Sequence, residues 1–287
     1  MSLAGSYNGL SFGLATKFHI SSIAGLDDLP AIRAADAPRA GDHGSWAGID
    51  YMDGRSIDIT FAVIADDSND LAVQMALLET AFVPQATELP LLLYGSTRLV
   101  NVRPRRFIAP YDATYLRKSC EVSVQLFATD PRVYDANLQQ VVLGLPTASG
   151  GMTFNAAFNL GFGSAGTGGT AAVTNAGTFA SRPVLVITGP CDTPIVQNVT
   201  QNKKVSFNLT LAAGDTLTVD TDAKSVLLLV SGSTIPASRR SALGAGSQWF
   251  DLAPGASTIT YQANTYQAAS SLTIQFRSAW LGRGGAL

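Results

Sequence analysis

The sequence predicts a mainly β protein with one helix in its first domain, an α+β unit that is followed by an antiparallel β-sandwich. Apolar residues alternate strictly at 57–63 and 121–127, which indicates half-buried strands in the first half of the chain. One stretch between these segments has helical spacing instead. After residue 183, short apolar runs and turn residues follow each other about every eight to twelve positions, a pattern typical of a sandwich.

The first regular element is a strand whose apolar face consists of Ile57, Ile59, Phe61 and Val63. The helix after it is predicted from apolar residues spaced by four, three and four positions: Leu71, Met75, Leu78 and Phe82. Asp66, Asp67 and Ser68 precede this stripe, where acidic and hydroxyl side chains stabilise the positive end of a helix. Pro84 cannot continue the helix and ends it.

The rest of the first domain is predicted as strands. A hairpin with strands at 91–94 and 98–102 leads to the alternating strand 121–127, and strands around one helix describe an α+β unit. Pro131 then interrupts strand pairing and ends the domain. Residues 136–181 contain no charged side chain, so we expect a connector of short strands and glycine-rich loops that a neighbouring subunit covers.

The second domain is almost purely β in its pattern. Its apolar runs are Pro183–Thr188, Val205–Leu211, Leu217–Val219, Ser225–Val230, Ile259–Tyr261 and Leu272–Phe276. Glycine-containing turns such as Gly189-Pro190 and Gly214-Asp215 separate these runs. We therefore predict a first domain at 1–140 and a second, made of the glycine-rich connector and the sandwich, at 141–287.

The composition favours a subunit of an assembly. Hydrophobic residues make up 46% of the 287 residues and charged residues only 14%, whereas about a quarter is typical for charged residues. Such a chain fills a core easily, which excludes global disorder. Because the centres of subunit interfaces are depleted of charge, the scarcity indicates large surfaces buried against other copies.

The charge balance and the apolar runs exclude two classes of protein. A formal net charge of −2 differs from the basic footprint of a protein that grips nucleic acid. No apolar run approaches the roughly 20 residues that span a bilayer. Met1–Gly13 lacks a basic segment followed by an apolar one, so we expect no secretory signal and folding in the cytoplasm of the producing cell.

Candidate catalytic and metal-binding groups are few, and we predict no catalytic, cofactor-binding or metal-binding residue. The two histidines are His19 and His43, and neither has a Cys, Glu or second His at ligand spacing. The carboxylate pairs Asp66-Asp67 and Asp220-Asp222 lie where a helix start and a strand-end turn explain them. Ser164, in the segment Gly163-Ser164-Ala165-Gly166, lacks the strand–turn–helix context of a nucleophile elbow.

Three further groups have both a functional and a structural interpretation. Arg103, Arg105 and Arg106 form one basic cluster, for contact with passing DNA or for ion pairs to a neighbouring subunit. The aromatic residues of the second domain could stack on sugars or fill a core or interface: Trp249, Tyr261, Tyr266 and Trp280. Cys120 and Cys191 are expected to be two reduced thiols that pack as small hydrophobic groups.

A series of short motifs between about residues 50 and 280 resembles the distal tail proteins of siphophages. The matching segments are, in chain order, Asp53–Ile59, the helix Leu71–Phe82, Ala128–Tyr134, Asn175–Gly177, Arg182-Pro183, Gly189-Pro190, Gly214–Thr221, Leu252–Gly255 and Phe276–Trp280. Each segment is short, and their order carries the resemblance. The glycine-rich stretch 150–169 is more extended than this pattern leads us to expect.

The resemblance implies a non-enzymatic structural protein of the virion. It implies a tail-tube-like, ring-forming (belt) domain, a galectin-like second domain, and a homo-hexameric ring at the tail tip that joins the tail tube to the host-adsorption apparatus. The implied partners are the tail tube, tape measure and receptor-binding proteins, with DNA passing through the ring and no membrane or cofactor. The alternative hypothesis is a carbohydrate-binding module that recognises the host surface.

Overall fold

The computed structural model describes residues 3–95, 97–110, 118–146 and 169–284. The chain divides into two compact units, of which unit 1 comprises Met1–Ala136 with Trp280–Leu287 and unit 2 comprises Asn137–Ala279. Residues 280–284, which were predicted to belong to the second domain, therefore group with the first unit. Residues 147–168 of the predicted connector, with Ser164, lie outside the described residues.

Unit 1 contains one helix, α1 (Ser68–Ala81), among its described residues. Its strands are β1 (Gly5–Tyr7), β2 (Leu10–Phe12), β3 (Phe18–Ala24), β4 (Ile32–Arg33), β5 (Ala37–Pro38), β6 (Ser45–Trp46), β7 (Tyr51–Met52), β8 (Arg55–Ile64), β9 (Leu89–Leu93), β10 (Arg98–Ile108), β11 (Ser119–Ala128) and β12 (Val133–Asp135).

The main sheet of unit 1 has the order β2-β1-β9-β10-β11-β8-β3 and is antiparallel throughout. β10 joins its two halves, since Arg98–Val102 pairs with β9 and Arg103–Ile108 pairs with β11. Alternate residues of β8 and β11 face one shared core, where Ile59, Phe61 and Val124 are fully buried. The period-two pattern of the sequence thus corresponds to the buried faces of these strands.

α1 packs one side against this core through Leu71, Met75, Leu78 and Ala81. Asp67 caps its first turn, where the carboxylate accepts a hydrogen bond of 2.8 Å from the backbone N–H of Asp70. After the helix, the ring of Phe82 stacks on Tyr7 with 5.1 Å between ring centroids. These contacts confirm the predicted helix and its apolar stripe.

Unit 2 consists of strands in its described part, apart from a short 3₁₀ turn at Arg240–Ala242. The strands are β13 (Gln139–Gly144), β14 (Thr170–Asn175), β15 (Val184–Thr188), β16 (Cys191–Asp192), β17 (Ile195–Asn198), β18 (Lys203–Ser206), β19 (Thr210–Leu211), β20 (Thr216–Asp220), β21 (Ser225–Leu229), β22 (Ala237–Ser238), β23 (Gly255–Gln262) and β24 (Ser271–Phe276). A last short strand, β25 (Ala279–Trp280), follows at the division between the units.

Two large antiparallel sheets build unit 2, with the orders β13-β24-β15-β20-β21-β22 and β14-β23-β17-β18, and β16 pairs with β19 in a separate two-stranded sheet. A single apolar core contains inward residues of both sheets, among them Leu185, Val219 and Ile274 from the first and Val196 and Ile259 from the second. Two packed sheets around one core are a β-sandwich. The predicted fold class, mainly β with one helix in the first domain, is thereby confirmed.

The segment between β3 and β8, for which no element was predicted, has regular structure. β4 pairs with β7 and β5 pairs with β6, so residues 31–51 form a β-hairpin, here called the arm. Every residue of the arm is exposed. Since neither face of the hairpin is buried in its own chain, selection for a core could not impose an alternating pattern on it.

Candidate assembly surface

Those residues considered for chemistry that lie in the described part of the chain do not form a reaction centre. His19 lies on β3, and His43 lies exposed at the tip of the arm, where its backbone N–H donates to the Asp42 carboxylate. Among the described residues, no three His, Cys, Asp or Glu side chains form a group that could hold a metal ion. A shallow depression of about 350 Å³ beside β1 and β2 is lined by residues such as Gly5, Ser6 and Gly13, without a titratable side chain.

The carboxylate pairs have structural partners. Lys17 Nζ lies 2.7 Å from Asp66 Oδ2 and 2.6 Å from Asp70 Oδ2, at the start of α1. The hydrogen bond from Lys17, with further bonds from the backbone of Asp66 and from Gln74, lowers the pKa of Asp70 to about 2. In unit 2, Asp220 accepts from the backbone N–H of Asp222, as expected for a strand-end turn.

Asp222 also pairs with Arg182, and the two side chains lie at the surface. The two cysteines, Cys120 and Cys191, are both buried, each in a different unit. Burial raises the pKa of the Cys191 thiol. Both cysteines therefore pack as small hydrophobic side chains.

The aromatic residues considered for sugar binding do not form one exposed platform. Tyr261 is fully buried, its hydroxyl lies 2.7 Å from that of Ser270, and burial raises its pKa. Trp249 packs partly buried against the core of unit 2, and Trp280 is buried in unit 1. Of the four, Tyr266 alone is exposed, with half of its surface accessible. The carbohydrate-binding alternative therefore lacks the stacked aromatic surface on which it depended.

The basic cluster lies on the second half of β10, next to an irregularity in strand pairing. Arg103 is opposite Phe127 of β11, and the register shifts between Pro104 and Arg106 because Arg105 is an extra residue, a β-bulge. Arg105 and Arg106 are exposed, and the Arg105 guanidinium lies 5.2 Å from the centroid of the Phe127 ring. In the described part of the chain, Arg103–Ile108 has a strand partner only on its β11 side.

The arm is an exposed feature of unit 1 that spans 21 consecutive residues. β4 and β7 pair at its base, Ile32 opposite Met52, and β5 and β6 pair near its tip, Ala37 opposite Trp46. At the tip, Arg39 donates its backbone N–H to Gly44 O at 3.1 Å, and its guanidinium lies 4.5 Å from the Trp46 ring centroid. These contacts join arm residues to one another, and an isolated two-stranded hairpin is at best marginally stable in water.

The arm holds large apolar side chains in water. Trp46 is 64% exposed and Ile49 is 70% exposed, and Ile32 and Tyr51 are at least half accessible as well. Full burial of such a side chain stabilises a structure by about 1.5–3 kcal/mol relative to leaving it exposed. A hairpin of this composition is expected to gain stability when another surface covers it.

Arg55, at the start of β8, fixes the base of the arm. It is 1% exposed, and its Nη1 donates to Gly25 O at 2.8 Å, Leu26 O at 2.5 Å and Asp28 O at 2.9 Å. Nε donates to Pro131 O at 3.0 Å, and Nη2 donates to Leu281 O. All five acceptors are backbone carbonyls. Burial lowers the pKa of Arg55, which nevertheless stays protonated because arginine does not lose its proton in proteins.

A second arginine holds residues 280–284, here called the return segment, within unit 1. The Arg98 guanidinium lies 3.9 Å from the Trp280 ring centroid, and Arg98 Nε donates to Arg283 O at 2.8 Å. The backbone N–H of Arg283 donates to Asp27 Oδ1 at 2.8 Å, and the two side chains form an ion pair of 3.3 Å. The segment before the arm, β8, β10 and the return segment are thus joined through two buried guanidinium groups.

The arm, Arg55 and Arg98 were not identified from the sequence. One local signal for the arm exists: a turn-forming run Gly41-Asp42-His43-Gly44 lies between Ala37 and Trp46, and Gly41 and Gly44 both have positive φ. Arg55 and Arg98 have no local signal, since their partners lie up to 226 and 186 residues away.

None of the described helices is long and apolar enough to cross a membrane. Residues 176–280 match the family of siphovirus-type tail components, C-terminal domain. No curated protein matches the sequence.

One solved structure shares the fold over most of the chain. The Dit protein of phage SPP1, described as a paradigm of the hub adsorption apparatus in phages that infect Gram-positive bacteria, has 14% sequence identity and a TM-score of 0.64. The match covers 96% of this chain and 98% of that chain. Two structures of the phage P2 baseplate in its activated conformation, with Ca and with Sr, have 7% identity, a TM-score of 0.49 and the same coverage.

Proposed function

We propose that this chain, which matches the siphovirus-type tail components through residues 176–280, is a distal tail protein, a structural subunit of the phage tail tip. The observation that carries the proposal is that the family match in unit 2 occurs in a chain whose fold resembles the SPP1 hub protein over 96% of its length. The protein is accordingly a virion component and not an enzyme.

We further propose that copies of the chain close head to tail into a ring of six that joins the tail tube to the adsorption apparatus. A contact between two different surfaces of one chain repeats, and it closes into a ring when the rotation per step divides a full turn. The arm supports this mechanism, since it presents exposed Trp46 and Ile49 on a base fixed by Arg55. The low charge content fits large surfaces that are covered in the assembly.

The proposed neighbours are the tail tube and tape measure proteins on one side of the ring and receptor-binding proteins on the other, with DNA crossing the central channel. A channel of this kind should be neutral to acidic, because basic linings bind the phosphate backbone strongly at low salt. The formal net charge of −2 is compatible with this requirement.

Light scattering combined with negative-stain electron microscopy of the full-length protein, alone and with its tail partners, tests the proposal. We expect rings, and we expect a variant that joins Arg33 to Tyr51 through an Asn-Gly turn, which removes most of the arm, to stay monomeric. The Asn-Gly pair suits a two-residue hairpin turn, so the variant can keep the pairing of β4 with β7. A wild-type protein that remains monomeric at tens of micromolar, and forms no ring with its tail partners, would refute the proposal.

A further inference from the structure

The outward face of α1 is apolar, although it is exposed. Leu71, Met75 and Leu78 point to the core, and the other side of the helix carries Ala72, Val73, Ala76 and Leu77. Val73 is 57% exposed and Leu77 is 49% exposed. Surface helices of a monomeric protein normally place charged and polar residues at such positions. Between Asp70 and Glu79, however, the sequence contains no charged residue.

Two further exposed residues extend this surface along the chain. Ile64 lies at the end of β8 just before the helix, and Val83 lies just after it, and both are about half accessible. The helix patch is defined here as Ile64, Ala72, Val73, Ala76, Leu77 and Val83. Apolar side chains concentrated around one element in this way mark an interaction surface, whereas singly scattered exposed apolar residues do not.

The arm matches the size and composition of a partner for such a patch. It offers 21 consecutive exposed residues, from 31 to 51, whereas a standard interface uses about 20–30 residues on each side. Its accessible Trp46 and Tyr51 are of the residue types that most often dominate binding energy when they are buried at the centre of an interface. The arm has five charged residues of both signs, Arg33, Asp36, Arg39, Asp42 and Asp50, and Arg39 pairs with Asp42 at 3.9 Å, so it presents little net charge to an uncharged surface.

We propose that the arm of one copy lies across the helix patch of the next copy in the ring. This inference rests on the proposed ring and names the two surfaces that meet. The arm and the patch are different surfaces of the same unit, so their contact is head to tail and every copy both gives an arm and receives one. A second copy supplies both surfaces in equal number, which an unrelated partner would not.

Site-directed cross-linking tests the contact directly, because both native cysteines are buried and leave introduced surface cysteines to react. Ile49→Cys and Leu77→Cys are placed in separate chains that carry different tags, and the two variants are mixed, assembled and oxidised. We expect a disulfide-linked dimer that contains one chain of each kind. The control replaces Leu77→Cys by Val199→Cys, a position of unit 2 with similar exposure, and should give no such dimer.

A pair of matched substitutions measures the energetic contribution of the patch. Leu77→Glu should weaken ring formation at least about tenfold, since one charge is placed in an apolar contact. Leu14→Glu, at an exposed leucine between β2 and β3, should leave ring formation within about twofold of wild type. Circular dichroism verifies that both variants are folded.

The outcomes separate this inference from the function on which it rests. Rings that form without a cross-link between the cysteines introduced at positions 49 and 77, or equal effects of Leu77→Glu and Leu14→Glu, would overturn the arm–helix contact and leave the distal tail assignment in place. Failure of the wild-type protein to form any ring with its tail partners would overturn the proposed function itself.

Discussion

Replacing Arg55 should destabilise unit 1 more than any exposed arginine does, because Arg55 connects three separate parts of the unit. Its guanidinium donates to carbonyls of Gly25, Leu26 and Asp28 before the arm, to Pro131, and to Leu281 of the return segment. Arg55→Met keeps a side chain of similar length and apolar stem but removes all five donors. The five carbonyls then lose their hydrogen-bond partner at a buried position, since the Arg55 side chain that they surround is only 1% exposed.

The loss of stability caused by Arg55→Met is the difference between two opposing contributions. A hydrogen bond to a charged group contributes about 1.5–3 kcal/mol, and a buried acceptor left without a partner costs about 1–3 kcal/mol. Removing the guanidinium also removes the cost of keeping a charge away from water, which is several kcal/mol. We expect Arg55→Met to lower the free energy of unfolding by about 3–5 kcal/mol, since the lost hydrogen bonds to a charged group and the buried carbonyls left without partners outweigh the recovered cost of burying the charge.

The assay is urea unfolding of the full-length protein followed by tryptophan fluorescence in a Trp249→Phe background. Trp46 and Trp280, the remaining tryptophans, then both report on unit 1, which avoids mixing the transitions of two units. Arg105→Met is the matched control, since Arg105 is exposed and its contact with Phe127 should contribute about 0.5–1 kcal/mol. The stability loss of Arg55→Lys should lie between those of Arg55→Met and Arg105→Met, because an ammonium group has three donors and lacks the planar geometry of a guanidinium.

The structural reasoning would be refuted by an Arg55→Met protein that loses no more stability than Arg105→Met. Such a result would mean that water or a small rearrangement satisfies the five carbonyls. Arg55→Lys as stable as wild type would likewise contradict the requirement for a guanidinium group at this position.

Three further predictions concern other parts of unit 1. The lowered pKa of Asp70 means that its bond with Lys17 stabilises the fold above the ordinary carboxylate pKa of about 3.9, and that this contribution is lost as the pH falls through about 2. Asp70→Asn should therefore be less stable than wild type at pH 6, and urea titrations at successive pH values should show the difference shrinking as the pH approaches about 2. Trp280→Ala should cost about 3–5 kcal/mol and expose the return segment to protease, because the ring is buried under Arg98; resistance to limited proteolysis equal to wild type would contradict this. Changing Arg105 and Arg106 together to Ile should increase aggregation, measured by light scattering over time, because a flat apolar edge strand pairs with other chains.

The elements predicted correctly from the sequence are those whose pattern is local. β8 and α1 alternate or repeat within a dozen residues, and their apolar faces point into a single core. The strand pair β9 and β10 was also predicted, although β10 extends to Ile108, beyond the predicted end at 102. In unit 2, β15, β20, β21, β23 and β24 correspond to predicted apolar runs that turn residues separate. The predicted run Val205–Leu211 is instead divided between β18 and β19, which belong to different sheets, and β13, β14 and β17 were not predicted as separate strands.

What the sequence did not predict depends on contacts between distant residues. Arg55 stands between Gly54 and Ser56, where the local sequence suggests an exposed charge, and its acceptors come from residues 25–28, 131 and 281. Trp280 was considered as a sandwich aromatic, and the structure places it in unit 1 under Arg98. Both faces of the arm are exposed, so its sequence lacks the alternation of apolar and polar residues from which a strand is predicted.

The unpaired edge of β10 bears on how copies of the chain join in the proposed ring. An unpaired strand edge invites pairing with another chain, and β10 beyond Val102 is such an edge among the described residues. This edge carries Arg103, Pro104, Arg105 and Arg106 together with a bulge, and charges, proline and bulges are the features by which native proteins prevent edge pairing. The arginine cluster is then explained by protection of the edge and needs no nucleic acid. An assembly that protects this edge while exposing Trp46 and Ile49 on the arm is expected to join its copies through side chains of the arm, and not through continuation of the sheet along β10.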